Sequence, residues 1–581
     1  MRLVRALALF GFVAAAVVLL ASSDSLAQVA DTKAEKKAAK MKAKLEKQKA
    51  VEDAAKKSED ETKKADEERK AAEAKRAAAK AAQTTQVSTF DAVAAAKLID
   101  THIDKKLVAA KIVPSPICSD EEFLRRAHLD ITGVIPTADK AKAFLDDTAT
   151  DKRAKLVDEL LADAHYGRKQ ADVWTAKLFT KDSGNRFVQR PPFYKWIEAE
   201  FNADRPWNQF VTSIVSATGT VDEHPEVTYF LSNRSIDKLT DTTSQHFLGV
   251  RLSCAQCHNH PFTTTKQTEY WGLAAFYSKV NPERPKNAAQ GADNSKLGVQ
   301  EGTTKTKLKD FFPESAKTVP PKFLGGDSPK LGSSVPYRPA LAEWLTDAKN
   351  PFFAKAMVNR TWAMLFGQGI VNPIDDMIDT NEPSHPELLA ELSEKFAAGG
   401  FDVKLLMKGV VLSRAYQRTS KPTTANKADA DHYSHQQIKV LSPEMLYDSL
   451  TRVVGAPPAA KGPAGGGAAN RAGAVTPRDR FVEFFLAGSD EPKAAEYEAG
   501  IPQALRLING RNTQPATLKL LGGSKGAEAF EKIYLAALSR RPTADEVKRL
   551  TDYVAKASTP GEAYGDVLWA VLNSSEFAMV R

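Results

Sequence analysis

The residues best suited to chemistry stand together between Phe247 and Phe262, in FLGVRLSCAQCHNHPF. Cys254, Cys257 and His258 form a C-x-x-C-H pattern. Two thiols three positions apart can reach the two vinyl groups of one porphyrin and become thioethers, and the adjacent histidine then lies under the iron as its proximal ligand. Covalent haem c is therefore the first expectation, with Cys254 and Cys257 as tethers and His258 on the iron. The same residues serve other ends. Cys254, Cys257 and a histidine supply three zinc ligands and need a fourth from elsewhere; the alternative metal set is Cys254, Cys257 and His260. Two such thiols also form a local disulfide in an oxidising compartment, or pack as apolar groups beside Leu252 and Phe262. The chain has only 3 cysteines and 10 histidines in 581 residues, so the spacing is not a by-product of composition.

A haem tether needs a compartment in which thioethers are made, and residues 1–27 read as an export signal. Arg2 and Arg5 give a positive start, Ala6 to Leu20 an apolar stretch, and Ser25-Leu26-Ala27 a small-residue cleavage site. The apolar stretch is short for a transmembrane span, so an uncleaved anchor is the only membrane attachment expected. The expected location is the periplasm, cell envelope or exterior. Residues 28–87 are rich in Ala, Lys and Glu and carry about half of the net charge of +9. This composition favours helix, but Leu45 and Val51 stand nearly alone, so no coiled-coil seam is expected. The segment reads as a charged helical or disordered spacer. No aromatic residues interleave with its lysines, and nucleic acid is not an expected partner.

The remainder reads as all-α, mainly two packed helical domains with long irregular connections. The first is placed at residues 88–281, a linker or irregular insertion at 282–334, and the second domain at 335–581 with a Gly/Ala/Pro loop at 455–477. Ser119 with Glu122, Ser384 with Glu387, and Thr543 with Glu546 read as capping boxes, and Asp151 and Asp402 as single caps. Trp174, Phe193, Trp196, Phe201, Trp207 and Phe210 are expected to be core.

The first block resembles domain of unknown function 1549, a planctomycete-type, cytochrome-associated family. The resemblance rests on Glu122 to Arg126 (EFLRR), Leu129-Asp130, Thr132-Gly133, Pro136-Thr137, Trp174 and the Phe247 to Phe262 stretch. The second block is similar to its usual companion, domain of unknown function 1553, through Val358-Asn359-Arg360, Leu365-Phe366-Gly367, Asp375-Asp376, Pro383 to Leu389 (PSHPELL), Ser413 to Gln417 (SRAYQ), Ser539 to Thr543 (SRRPT) and Leu572 to Glu576 (LNSSE). The resemblance implies a secreted or periplasmic protein, often beside cytochrome-like modules, with no settled activity. This chain has no separate cytochrome module, and it reads Glu491 to Glu498 (EPKAAEYE) where the family pattern places a cysteine pair.

If haem binds, Met357, Met364, Met377 or His385 is a candidate sixth ligand; each methionine also reads as core filler. Asp375-Asp376 is a loop pair open to metal or acid–base roles, and Asp130 with Arg125 and Arg126 reads as an ion-paired helix face. Cys118 is the odd thiol, free or intermolecular. The sequence holds no H-E-x-x-H or P-loop. Two functions follow: an exported redox protein with a redox partner, or a non-redox envelope module held by zinc or packing, with a possible accessory role in polysaccharide breakdown resting on family context alone.

Overall fold

Helix starts follow side-chain oxygens. Ser119, Thr137, Asp163, Asp402, Ser413, Ser442 and Thr543 each accept a backbone N–H from the helix they precede, satisfying donors that a helix start leaves orphaned. Three expected caps take another form. Asp151 makes no side-chain cap bond to Lys152–Ala162. The N-cap of Pro386–Ala398 is His385, not Ser384, and it also makes none. Ser119 caps Asp120–Thr132, but Glu122 turns to Arg126, Thr419 and the Ser420 N–H instead of reaching back. Tertiary partners win there over the local box.

The computed structural model describes residues 90–179, 188, 190–261, 263–283, 297–302, 313–378, 380–455, 476–486 and 514–581. The expected signal, spacer and most of the 455–477 loop lie outside these residues, as does Phe262. The described chain is mainly α-helical, and Gln83–Arg581 forms one compact unit. Among the described residues no helix is long and apolar enough to cross a membrane. The strands are short. Gly298–Glu301 pairs antiparallel with both Gly219–Thr220 and Val280–Glu283, so part of the expected irregular connection is a small sheet, with Val280, Leu297 and Val299 buried. Lys439–Val440 pairs with Met579–Val580.

One hydrophobic core takes residues from both sides of the 282–334 connection. Trp174, Trp207, Phe247 and Trp271 come from before it, and Phe353, Met357, Trp362 and Leu406 from after it. Trp207 stacks on Phe353 with ring centroids 6.2 Å apart. A second core gathers Leu441, Leu446, Phe530, Ile533, Leu568 and Phe577 around Leu129 and Ile135. The Asp120–Thr132 helix therefore serves both cores, and its residues from Phe123 to Thr132 are all buried.

Buried charges on that helix require partners. Arg125 donates to the carbonyls of Ala537 at 2.9 Å and Phe577 at 2.8 Å. Arg126 donates to Tyr416 O at 2.8 Å and Arg418 O at 3.0 Å. Asp130 accepts from Lys439 Nζ at 2.6 Å and the Tyr416 hydroxyl at 2.9 Å. The helix face expected to pair Asp130 with the two arginines is thus built differently. The arginines cap carbonyls of distant segments, and the counter-ion of Asp130 is Lys439.

Candidate functional site

The segment leading into Cys254 is fixed by burial and by one glycine. Phe247 and Leu248 are wholly buried. Gly249 adopts φ +69°, and a side chain there would overlap the Met377 methyl; only glycine takes this conformation and approach without cost. The Met377 N–H donates to Gly249 O at 2.8 Å, which ties the Asp375 loop to the approach of the motif.

Ser253–Gln256 is a single 3-10 turn, with Leu252 and Ala255 buried. Cys254 lies in this turn and Cys257 directly follows it. Both are exposed and unpaired. The thiols are thus not packed beside Leu252, because Leu252 and Ala255 take the buried side of the turn. The turn is held through its backbone: Trp271 Nε1 donates to Gln256 O at 3.0 Å, and Gln267 Nε2 to Cys257 O at 2.6 Å. The Gln267 N–H reaches Asn259 Oδ1 at 3.0 Å.

His258 is exposed, and its Nδ1 lies 2.7 Å from Asn259 O. A carbonyl only accepts, so Nδ1 carries the proton and Nε2 keeps its lone pair. A backbone carbonyl on one ring nitrogen is the usual way of orienting the other toward a metal. Two exposed thiols three positions apart, followed at once by an exposed imidazole, are the residue types that the attachment of a c-type haem uses. Among the described residues, no group of three His, Cys, Asp or Glu side chains is placed to hold a metal ion.

The sixth-ligand candidates have other surroundings. Met357 is buried in the main core, and Met364 is packed against it. His385 is 1% exposed, with its ring 5.4 Å from that of Tyr433 and 6.5 Å from that of His432. Burial, with Lys106, His432 and His102 nearby, pushes it down to about 4. Cys118 is buried, and burial raises its pKa against the pull of Arg126 and Arg153.

A second constellation assembles around Asp375. Arg360 pairs with this carboxylate through both terminal nitrogens, Nη1 lying 3.4 Å from Oδ2. Its guanidinium lies 5.3 Å from the centre of the Trp174 ring, and Nη2 donates to His246 O at 3.4 Å. His246 Nδ1 stands 3.6 Å from Asp375 Oδ2. Burial raises the Asp375 pKa, but Arg360 and His246 outweigh it and hold the carboxyl well below the usual range. Burial lowers His246 to about 4. Lys177, one turn beyond Trp174, falls to about 8 through burial and the Arg360 charge. Asp375 is buried rather than solvated, and Lys177, His246 and Arg360 went unassigned in the sequence because no local spacing links them.

Residues 98–282 match a family model described as protein of unknown function (DUF1549), and residues 337–554 one described as protein of unknown function (DUF1553). The chain is a DUF1549–DUF1553 protein. The two matches follow the order expected from the motifs. No curated protein and no solved structure matches the chain. Residues that carry the DUF1549 resemblance meet those that carry the DUF1553 resemblance: Asp130 meets Tyr416, and Trp174 meets Arg360.

Proposed function

We propose that this DUF1549–DUF1553 protein is exported and carries one covalent c-type haem on the Cys254–Cys257–His258 turn, for electron transfer or small-oxidant chemistry at the cell envelope. The observation that carries this reading is the His258 Nδ1 contact to Asn259 O next in sequence to two exposed thiols three positions apart. Cys254 and Cys257 are the tethers, and His258 Nε2 is the nitrogen left for the iron. A bound haem supplies a one-electron couple. The chain's own part is to hold the turn: Trp271 and Gln267 fix the carbonyls of Gln256 and Cys257, and Asn259 sets the His258 tautomer.

The test is a reduced pyridine-haemochrome spectrum of protein exported from a host with cytochrome c maturation machinery, beside Cys254→Ser/Cys257→Ser. A c-type band lost in the double variant supports the reading. A colourless, folded wild type refutes it. That outcome would favour a non-redox envelope module, a reading supported by the Trp271 and Gln267 side chains that hold the carbonyls of the turn.

A further inference from the structure

Two nitrogens around Asp375 lack an acceptor. Trp174 Nε1 and Arg360 Nε are buried without a hydrogen-bond partner, and His246 Nδ1 faces Asp375 Oδ2 at 3.6 Å. Lys177 is half-buried and, among the described residues, stands within the charge field of Arg360, Asp375 and His246. One turn before Trp174, the Gln170 amide is also buried with neither atom partnered. Buried polar groups in native proteins are nearly always satisfied, by protein, water or a ligand, so a cluster of orphans on adjoining side chains asks what satisfies it. The charges give a direction. Arg360 and Lys177 are two cations facing one carboxylate, Asp375, with His246 as the remaining titratable neighbour. Among the described residues, one positive charge in this desolvated place has no counter-ion.

We propose that Trp174, Lys177, His246 and Arg360 form a binding site for a small singly charged oxyanion, the carboxylate of a small organic acid. A carboxylate only accepts, offers two oxygens to several donors, and supplies the missing charge. Asp375 positions Arg360 and His246 for it without contributing an acceptor to the ligand. The site uses no residue of the Cys254–His258 turn and is independent of whether haem is attached.

The test is isothermal titration of the full chain, produced without haem maturation, with acetate and inorganic phosphate as separate probes against chloride at equal ionic strength. Wild type, Lys177→Met and Trp174→Phe are compared; the last removes one N–H and keeps an aromatic ring should Lys177→Met fail to fold. Saturable acetate binding, weakened roughly tenfold or more by each variant, supports the proposal. Phosphate binding alone, with the same sensitivity, would overturn the carboxylate assignment. No saturable binding to folded wild type, or binding unchanged in the folded variants, would overturn the site.

Discussion

Arg360 and Asp375 form a buried fork in which side chains 3% and 9% exposed neutralise one another. The fork joins the Phe353–Phe366 helix to the loop whose Met377 N–H holds Gly249. Removing one partner of such a pair leaves a buried charge alone. Asp375→Asn should therefore cost about 3–5 kcal/mol in urea unfolding. A loss under about 1 kcal/mol would mean that the pair behaves like a solvated one.

His246 makes the neighbourhood sensitive to acid. It titrates near 4 in the fold and at about 6.5 in an unfolded chain. Between these values the unfolded chain binds a proton that the native chain does not, so stability is lost as pH falls. Asp204 and Asp241, raised by burial to about 6, act in the opposite sense, so the useful quantity is a difference. The stability of wild type minus that of His246→Gln should fall by roughly 2–3 kcal/mol from pH 7 to pH 4.5. A difference independent of pH would place His246 in contact with solvent.

The three cysteines should separate by accessibility. In protein made without haem maturation, native maleimide labelling should modify Cys254 and Cys257 rapidly and Cys118 only after unfolding, because only Cys118 is buried. Mass spectrometry counts the adducts. Three fast adducts, or none, would contradict the exposure described here.

Gly249→Ala should destabilise the approach to the motif by about 1–2 kcal/mol through the left-handed backbone alone, with a further cost from the Met377 methyl. Met377→Ala in the same chain should recover the second part and not the first. Equal stability of the single and double variants would remove Met377 from the account.

Arg125→Leu should loosen the chain far from the substitution. It frees the carbonyls of Ala537 and Phe577, so amide exchange should rise across residues 514–581 more than across 90–119. Uniform acceleration would indicate global destabilisation instead.

Much of the helical framework was legible because it rests on local rules. Thr543 and Glu546 form their box, Asp402 caps its helix, and Gly133 stops one. Ser384 and Glu122 read as cap residues for the same local reason, and there the local signal misled. Pro386 follows His385 directly and shifts the helix start, while Glu122 finds stronger partners in Arg126 and Thr419. The C-x-x-C-H pattern was visible because three nearly adjacent residues carry it. The Asp375 group was not. Lys177, His246, Arg360 and Asp375 come from four segments, and no periodicity can reveal a meeting that only the packed core arranges. The same holds for Lys439, whose carbon stem and ammonium look like ordinary surface until Asp130, Met364 O and Leu365 O surround it.

The reach of Arg125 has a consequence for how the molecule is made. Arg125 and its carbonyl partner on Phe577 are separated by 452 positions, so a ribosome delivers the guanidinium long before its acceptor exists. A nascent chain carrying only the earlier segment holds Arg125 and Asp130 on the Asp120–Thr132 helix before Ala537, Phe577, Tyr416 and Lys439 have been synthesised. The Arg125–Phe577 contact is made only by closing a loop of that length. Truncation products and stalled chains should therefore be substrates for chaperones and proteases rather than half-folded proteins.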